Sequence, residues 1–255
     1  ISLNFKFLDN IFLSVPKGRL KGKILKSSFK SNFFLDKKVL EINNFFFRDK
    51  NISFDANAAI KLAPYFNINF DTKLNKINKD LITYLNIKDL IKYNDLIRKV
   101  NIQNKITYTP QRFNREIFTN LKIDTNLAYG RLLFQKEILI SKSKIKCDGR
   151  INLLDEYPVL IFRCILNSSD KRELFKKLNI KYKKKDEKLN LIFSGSLNIL
   201  NNKIKFDNVE MNKNYKASQE DLNYFKKTFE NILFDKKFLE IFNLNKIKEF
   251  ILEIS

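Results

Sequence analysis

The residues able to do chemistry in this chain are few, and their spacing limits them further. There is no His among the 255 residues. Ser-His and Cys-His nucleophile systems are therefore excluded, as are the common zinc and haem arrangements. Gly18–Lys23 reads GRLKGK, which superficially matches a phosphate loop. It is one residue short between its glycines, and Ile24 stands where Ser or Thr would hold magnesium. The carboxylate pairs Asp155-Glu156 and Asp186-Glu187 fall at predicted turns with no convergent partner. Cys147 and Cys164 each sit on the apolar phase of a predicted strand. The plainer reading is two buried thiols acting as small hydrophobes. A disulfide needs the two strands to be neighbours in an oxidising compartment. These observations favour a non-enzymatic protein without cofactors or metal.

What the sequence does carry is a two-residue alternation in long runs. Leu189, Leu191, Phe193, Gly195, Leu197 and Ile199 alternate with Asn190, Ser194, Ser196 and Asn198. After Asn201-Asn202, Ile204 and Phe206 alternate with Lys203, Lys205 and Asp207. Successive strand side chains point to opposite faces, so one face is apolar and the other wet. Asn-Asn between two such runs predicts a tight hairpin.

The same pattern predicts strands at Leu3–Phe7, Ile11–Val15, Arg19–Leu25, Val39–Phe47, Ile52–Leu62 and Tyr65–Leu74. Phe54, Ala56 and Ile60 lie on one apolar face, with Ser53, Asp55, Asn57 and Lys61 opposite. From Asn78 to Val100 the spacing becomes helical, with a break near Asn86 and Asp89. Strands resume at Ile102–Tyr108 and at Ile117–Leu127, which places Leu121 and Ile123 on one side. Tyr129-Gly130 closes a hairpin into Leu132–Phe134. Strands Ile138–Ile145, Lys146–Leu153 and Val159–Leu166 follow, carrying Ile145, Ile151 and Phe162 on the apolar phase. Asp170–Leu178 reads as a short helix with a capping pair, Asp170 and Glu173. Lys181–Lys188 reads as a solvated loop or edge strand. Ser218 opens a second helix, with a stripe of Leu222, Phe225, Phe229, Ile232 and Leu233. A last amphipathic piece spans Lys246–Ile254.

The expected fold class is therefore mainly β: long antiparallel hairpins forming a curved sheet or open groove, with a few short helices. The expected division is a segment 1–76 and a region 77–255, with a helical insert at 78–100 and a terminal helix at 218–234; one continuous domain is the alternative. The inward face is expected to hold Phe54, Ala56, Ile60, Leu121, Ile123, Ile145, Ile151, Phe162, Leu191, Phe193 and Leu197. Cys147 and Cys164 share its parity.

The formal net charge of +21 invites a nucleic-acid partner. The excess is mostly Lys on the polar phase, beside heavy Asn, Ile and Phe usage, so a solvated face is the favoured reading. Single-strand binding would want aromatics on the basic face, and here Phe and Tyr lie mainly on the apolar one. No run of 18 or more apolar residues occurs, so nothing spans a bilayer as a helix. Ile1 in place of Met points to a piece of a longer protein.

The carboxyl-terminal third has a distinctive order. A strand Cys147-Asp148-Gly149-Arg150-Ile151-Asn152 is followed by one ending at Cys164, then a short helix. Gly195-Ser196-Leu197 leads into Lys203-Ile204-Lys205-Phe206, a helix runs from Ser218 to Phe234, and Lys246-Ile247-Lys248-Glu249-Phe250 closes the chain. This order resembles the carboxyl-terminal region of AsmA-like bacterial envelope proteins, whose relatives include TamB-like and YhdP-like members. The resemblance is one of pattern and covers Leu74 to Ser255. It implies a periplasmic body anchored in the inner membrane by an amino-terminal helix that this chain lacks. It also implies an apolar β groove that takes phospholipid acyl chains toward the outer membrane. The residues alone leave the apolar face three fates: closure as a sandwich, cover by helices, or an open groove for acyl chains. A structural or interaction module of the envelope, without a lipid path, is the alternative function.

Overall fold

A computed structural model of the chain describes residues 2–7, 17–77, 91–110, 119–177 and 188–234. The expected strand Ile11–Val15, most of the helical stretch from Asn78, the loop before Lys188 and the piece Lys246–Ile254 lie outside the described residues.

The described strands form one open sheet of fourteen in chain order. They are β1 (Ser2–Phe7), β2 (Lys17–Ile24), β3 (Ser27–Asp36), β4 (Val39–Arg48), β5 (Ile52–Lys61) and β6 (Phe66–Ile77). Then follow β7 (Val100–Tyr108), β8 (Asn120–Ala128), β9 (Arg131–Ile140), β10 (Ser143–Asn152) and β11 (Val159–Ser168). The last are β12 (Leu189–Asn198), β13 (Lys203–Met211) and the two-residue β14 (Tyr215–Lys216). The helices are α1 (Asn94–Ile97), α2 (Lys171–Lys177) and α3 (Gln219–Phe234). Every neighbouring pair is antiparallel except β6 and β7, which run parallel. The mainly β, hairpin-built sheet is thus as expected, and it continues without a break across residue 76.

Three local expectations need correction. Ser27–Asp36 forms β3, which simple alternation misses. The strand is irregular at Ser31, where its register against β4 shifts between Lys30 and Asn32. A bulge of this kind breaks the period of two that betrays a strand. Second, the run Ile138 to Leu153 does not divide at Lys146. The turn falls at Ser141-Lys142, with Ser141 at φ 52°. Ser141 suits a turn, but no Gly, Pro, Asn or Asp stands beside it to mark the position. The Ser141 hydroxyl donates to Glu173 of α2, and Lys142 pairs with the same carboxylate at 3.5 Å. A contact from 32 residues downstream therefore braces the turn, which the local sequence marks only weakly. Third, the register places Cys147 opposite Cys164 on neighbouring strands, and the two form a disulfide rather than separate thiols.

Other turns follow their chemistry. Gly130 takes φ 90° beside Tyr129 at φ 48°, a left-handed pair that a two-residue hairpin needs. Asn198 Oδ1 accepts from the amides of Leu200 and Asn201, and Asn202 sits at φ 58°. The β12–β13 connection is thus a four-residue turn fixed by asparagine chemistry. Asp170 Oδ1 caps α2 by accepting the Glu173 amide at 2.9 Å. Ser218 Oγ accepts from the Asp221 amide while Asp221 Oδ2 accepts from the Ser218 amide, the reciprocal box that starts α3.

The core is unevenly distributed. Its buried apolar residues run from Ile97 to Phe225 and include Ile140, Leu153, Leu166, Leu189, Leu191, Leu197, Ile199 and Val209. Leu174 and Phe175 of α2 and Phe225 of α3 join it, and α3 packs along β13. Among the described residues 17–77, only Ala56 and Leu74 are buried apolar side chains.

Candidate functional site

Cross-strand partners share a face, so the register can be followed from strand to strand. One row runs Phe54, Leu74, Tyr108, Leu121, Ile138, Ile145, Leu166, Leu191. The next runs Ala56, Thr72, Ile106, Ile123, Lys136, Cys147, Cys164, Phe193, Val209. A third runs Ala58, Phe70, Asn104, Thr125, Phe134, Gly149, Phe162, Gly195, Phe206. A fourth holds Ile60, Ile68, Ile102, Leu127, Leu132 and Ile151, and Leu160 with Leu197 and Ile204 continue it. All eleven residues expected on the inward face lie in these four rows, on one side of the sheet.

Burial within the rows is patterned. In β7 to β12 the first and fourth rows are mostly buried: Tyr108, Ile138, Ile145, Leu166 and Leu191 on one flank, Leu127, Ile151, Leu160 and Leu197 on the other. Between them Ile106, Ile123, Phe134, Cys147, Phe162 and Phe193 are only half-buried, while Cys164 and Gly195 are buried. The result is a half-buried lane, a band of mostly apolar residues between two more deeply buried flanks, that runs across the strands. At β13 it ends, because Phe206 and Val209 are buried where α3 packs. Toward β6 and β5 burial thins: Ala56 and Leu74 are buried, while Phe54, Ala58, Ile60, Ile68 and Thr72 are half-buried and Phe70 is exposed.

The floor of the lane alternates rings with glycine. Phe134, Gly149, Phe162, Gly195 and Phe206 are successive partners across five strands. The Phe134 ring lies directly over Gly149, where a Cβ would come within 2.5 Å of it. Phe29 covers Gly22 in the same way. A ring laid flat on a neighbouring glycine lowers the floor instead of filling the lane. Phe162 also meets the Phe193 and Phe206 rings edge-on at 6.4 and 6.3 Å. In the open region Phe54 contacts Phe45 and Phe47 at 5.7 and 5.3 Å.

One residue on this face escaped the sequence reading. Lys136 lies in the second row between Ile123 and Cys147. It is the one charged side chain on the apolar phase of the described strands. The residue is half-buried as a whole, yet desolvation lowers its amine pKa to about 7. The signal was available: Phe134, Lys136 and Ile138 put a lysine at an apolar position. The lysine interrupts the apolar alternation, so from sequence only Leu132–Phe134 reads as strand there.

The opposite face is wet. Lys144 pairs with Glu137 at 2.7 Å, Lys122 with Asp124 at 3.0 Å and Lys205 with Asp207 at 3.4 Å. The Lys144 hydrogen bond holds the Glu137 carboxyl below its ordinary range. An open depression of about 860 Å³ also lies on this side, across β4 to β9. Its lining is dominated by polar-phase residues, among them Asn57, Asn69, Asp71, Gln103, Lys105 and Asp124. Among the described residues, no three His, Cys, Asp or Glu side chains are placed to hold a metal ion. No described helix is long and apolar enough to cross a membrane. No protein-family model, curated protein or solved structure matches the chain.

Proposed function

We propose that the protein is a non-enzymatic lipid-binding protein of the bacterial envelope, in which the apolar lane takes the acyl chains of phospholipid. The half-buried band between two buried flanks, continued by the less buried face of β5 and β6, carries this reading. A methylene moved from water onto such a floor is worth about 0.8 kcal/mol, so a long chain supplies ample driving force. The Cys147–Cys164 disulfide supports an oxidising compartment such as the periplasm. The order of elements from Cys147 onward adds the resemblance to AsmA-like proteins, and with it an inner-membrane anchor and transport toward the outer membrane. Aromatics gathered on the apolar phase, away from the lysines, weigh against a nucleic-acid partner.

Photo-crosslinking tests this. A photoreactive side chain replacing Ile123 should capture phospholipid in the envelope, and one replacing Lys205 on the wet face should not. Failure at Ile123 in a protein that melts as wild type would overturn the reading. The polar depression across β4 to β9 then favours the alternative, an envelope interaction module that meets its partner through the wet face.

A further inference from the structure

We propose that one rim of the sheet docks on an anionic phospholipid bilayer, with tyrosine and leucine tips entering the interfacial layer and lysines and arginines meeting the headgroups. The rim lies at the strand ends, outside the lane, so docking there goes beyond acyl-chain binding and does not depend on it.

Register defines the rim. Val39, Lys61, Asn67, Asn101, Ala128, Arg131 and Asn152 are successive cross-strand partners, so the connections beside them share one end of the strands. Val159, Asn198 and Lys203 continue it. Backbone hydrogen bonds tie neighbouring connections together. The amides of Leu62, Tyr129, Leu153 and Ile199 donate to the carbonyls of Lys38, Val100, Gly130 and Pro158 in turn. Each of five places along this rim leaves a large apolar side chain exposed. Leu62 and Tyr65 stand between β5 and β6, Tyr93 and Leu96 at α1, Tyr129 between β8 and β9, Tyr157 between β10 and β11, and Leu200 between β12 and β13. Tyr65, Tyr93 and Tyr157 are 70%, 62% and 64% exposed. Ile97, buried in the core, holds α1 in place beneath its two exposed residues.

Scattered exposed apolar residues are ordinary, but their concentration on one edge is not. Of the fourteen large apolar side chains exposed among the described residues, nine lie on this rim. The described connections of the opposite rim carry one, Leu25, among residues such as Asp49, Asn51, Ser141, Lys142 and Asn214. Four of the chain's nine tyrosines belong to the apolar rim. Tyrosine has an apolar ring and a polar tip, which suits the boundary between headgroups and acyl chains. Exposed Lys38, Lys61, Arg98, Lys99, Arg131 and Lys203 stand among these tips and outnumber Asp36, Asp95, Asp155 and Glu156. That balance favours an anionic surface.

The chain has no Trp, so a single introduced Trp reports on its own surroundings. Tyr65→Trp and Tyr157→Trp mark the apolar rim, and Leu25→Trp marks the opposite one. The full chain is mixed with vesicles of phosphatidylethanolamine and phosphatidylglycerol, with and without brominated acyl chains. Emission from the rim Trp should shift to the blue and be quenched by bromine, while Leu25→Trp should show neither. Tyr65→Ser, Tyr93→Ser and Tyr157→Ser combined should weaken vesicle cosedimentation by about tenfold or more. The three side chains need lose only about 60 Å² of apolar contact between them for that. All three are exposed, so the combined variant should melt as wild type. Vesicles of phosphatidylcholine alone should bind more weakly, and equal binding to them would overturn the anionic choice. Adsorption by net charge alone would leave the combined variant cosedimenting as wild type, which overturns the proposal. Quenching of Leu25→Trp as strong as that of the rim Trp overturns it too. So does a wild-type chain that binds no vesicles, including one whose tyrosines instead hold two copies together in sedimentation. Crosslinking at Ile123 is a separate readout, so failure of the lane and failure of the rim are distinguishable.

Discussion

The two ends of the sheet are built from the same alternation and meet different fates. In β1 to β6 the inward face carries Leu20, Phe29, Phe33, Phe45, Phe47 and Phe54, as apolar as anything in β9 to β13. Yet those aromatics whose burial is described stay half-buried, while Leu189, Leu191, Leu197 and Val209 are buried almost completely. The difference lies in what covers each face. Two helices, α2 and α3, follow β11 and β14 and bring Leu174, Phe175 and Phe225 onto the carboxyl-terminal end. No described helix lies between β1 and β6. Apolar patterning thus specifies a face, and the helices decide whether that face becomes a core or remains a surface.

The comparison can be broken most directly by truncation. Leu191→Ala should cost about 2–5 kcal/mol, the usual price of a cavity in a packed core. Phe47→Ala, a larger deletion in the open region, should cost less, because half of that surface already faces water and no sealed cavity forms. Chemical denaturation of both variants decides it. Equal losses would mean that the amino-terminal face is covered after all.

The disulfide sharpens the same contrast, because it staples β10 to β11 inside the covered region and no described residue does so elsewhere. Its cysteines are 17 residues apart, so reduction should lower stability by about 3 kcal/mol through chain entropy. If the two ends unfold separately, reduction should shift the transition of the covered end alone. A single transition moving as a whole would show that the continuous sheet couples them.

The smallest expected effect belongs to Lys136. Its native amine titrates near 7, against an unfolded value near 10.5. Between these values the unfolded chain binds the proton and the native one does not, so this group makes stability rise with pH. At and below pH 7 the native state must carry the desolvated charge. Lys136→Met should therefore raise the melting temperature most near pH 7 and below, with the gain fading toward pH 10.5. A gain of a few degrees is expected: the residue is only half-buried, so solvent screens most of the cost that the pKa gap alone would imply, and 1 kcal/mol shifts a domain of this size by roughly 2–4 °C. A pH-independent difference would mean that the amine reaches bulk water.

The sequence by itself determined which side chains share a face. Parity within a strand is a local property, so Phe54, Leu121, Ile123, Phe162 and Leu191 could be assigned together without knowing what lay beside them. It determined the caps at Asp170 and Ser218 for the same reason, since each is settled within four residues. Tertiary structure alone decided the rest. Ser27–Asp36 declares itself a strand only when β2 and β4 pair with it around the irregularity at Ser31. The turn at Ser141-Lys142 depends on Glu173. The Cys147–Cys164 bond depends on a register that counts across a turn. Which part of the apolar face is core and which is lane depends on where α2 and α3 come to rest, because burial is a relation between distant segments and parity is not.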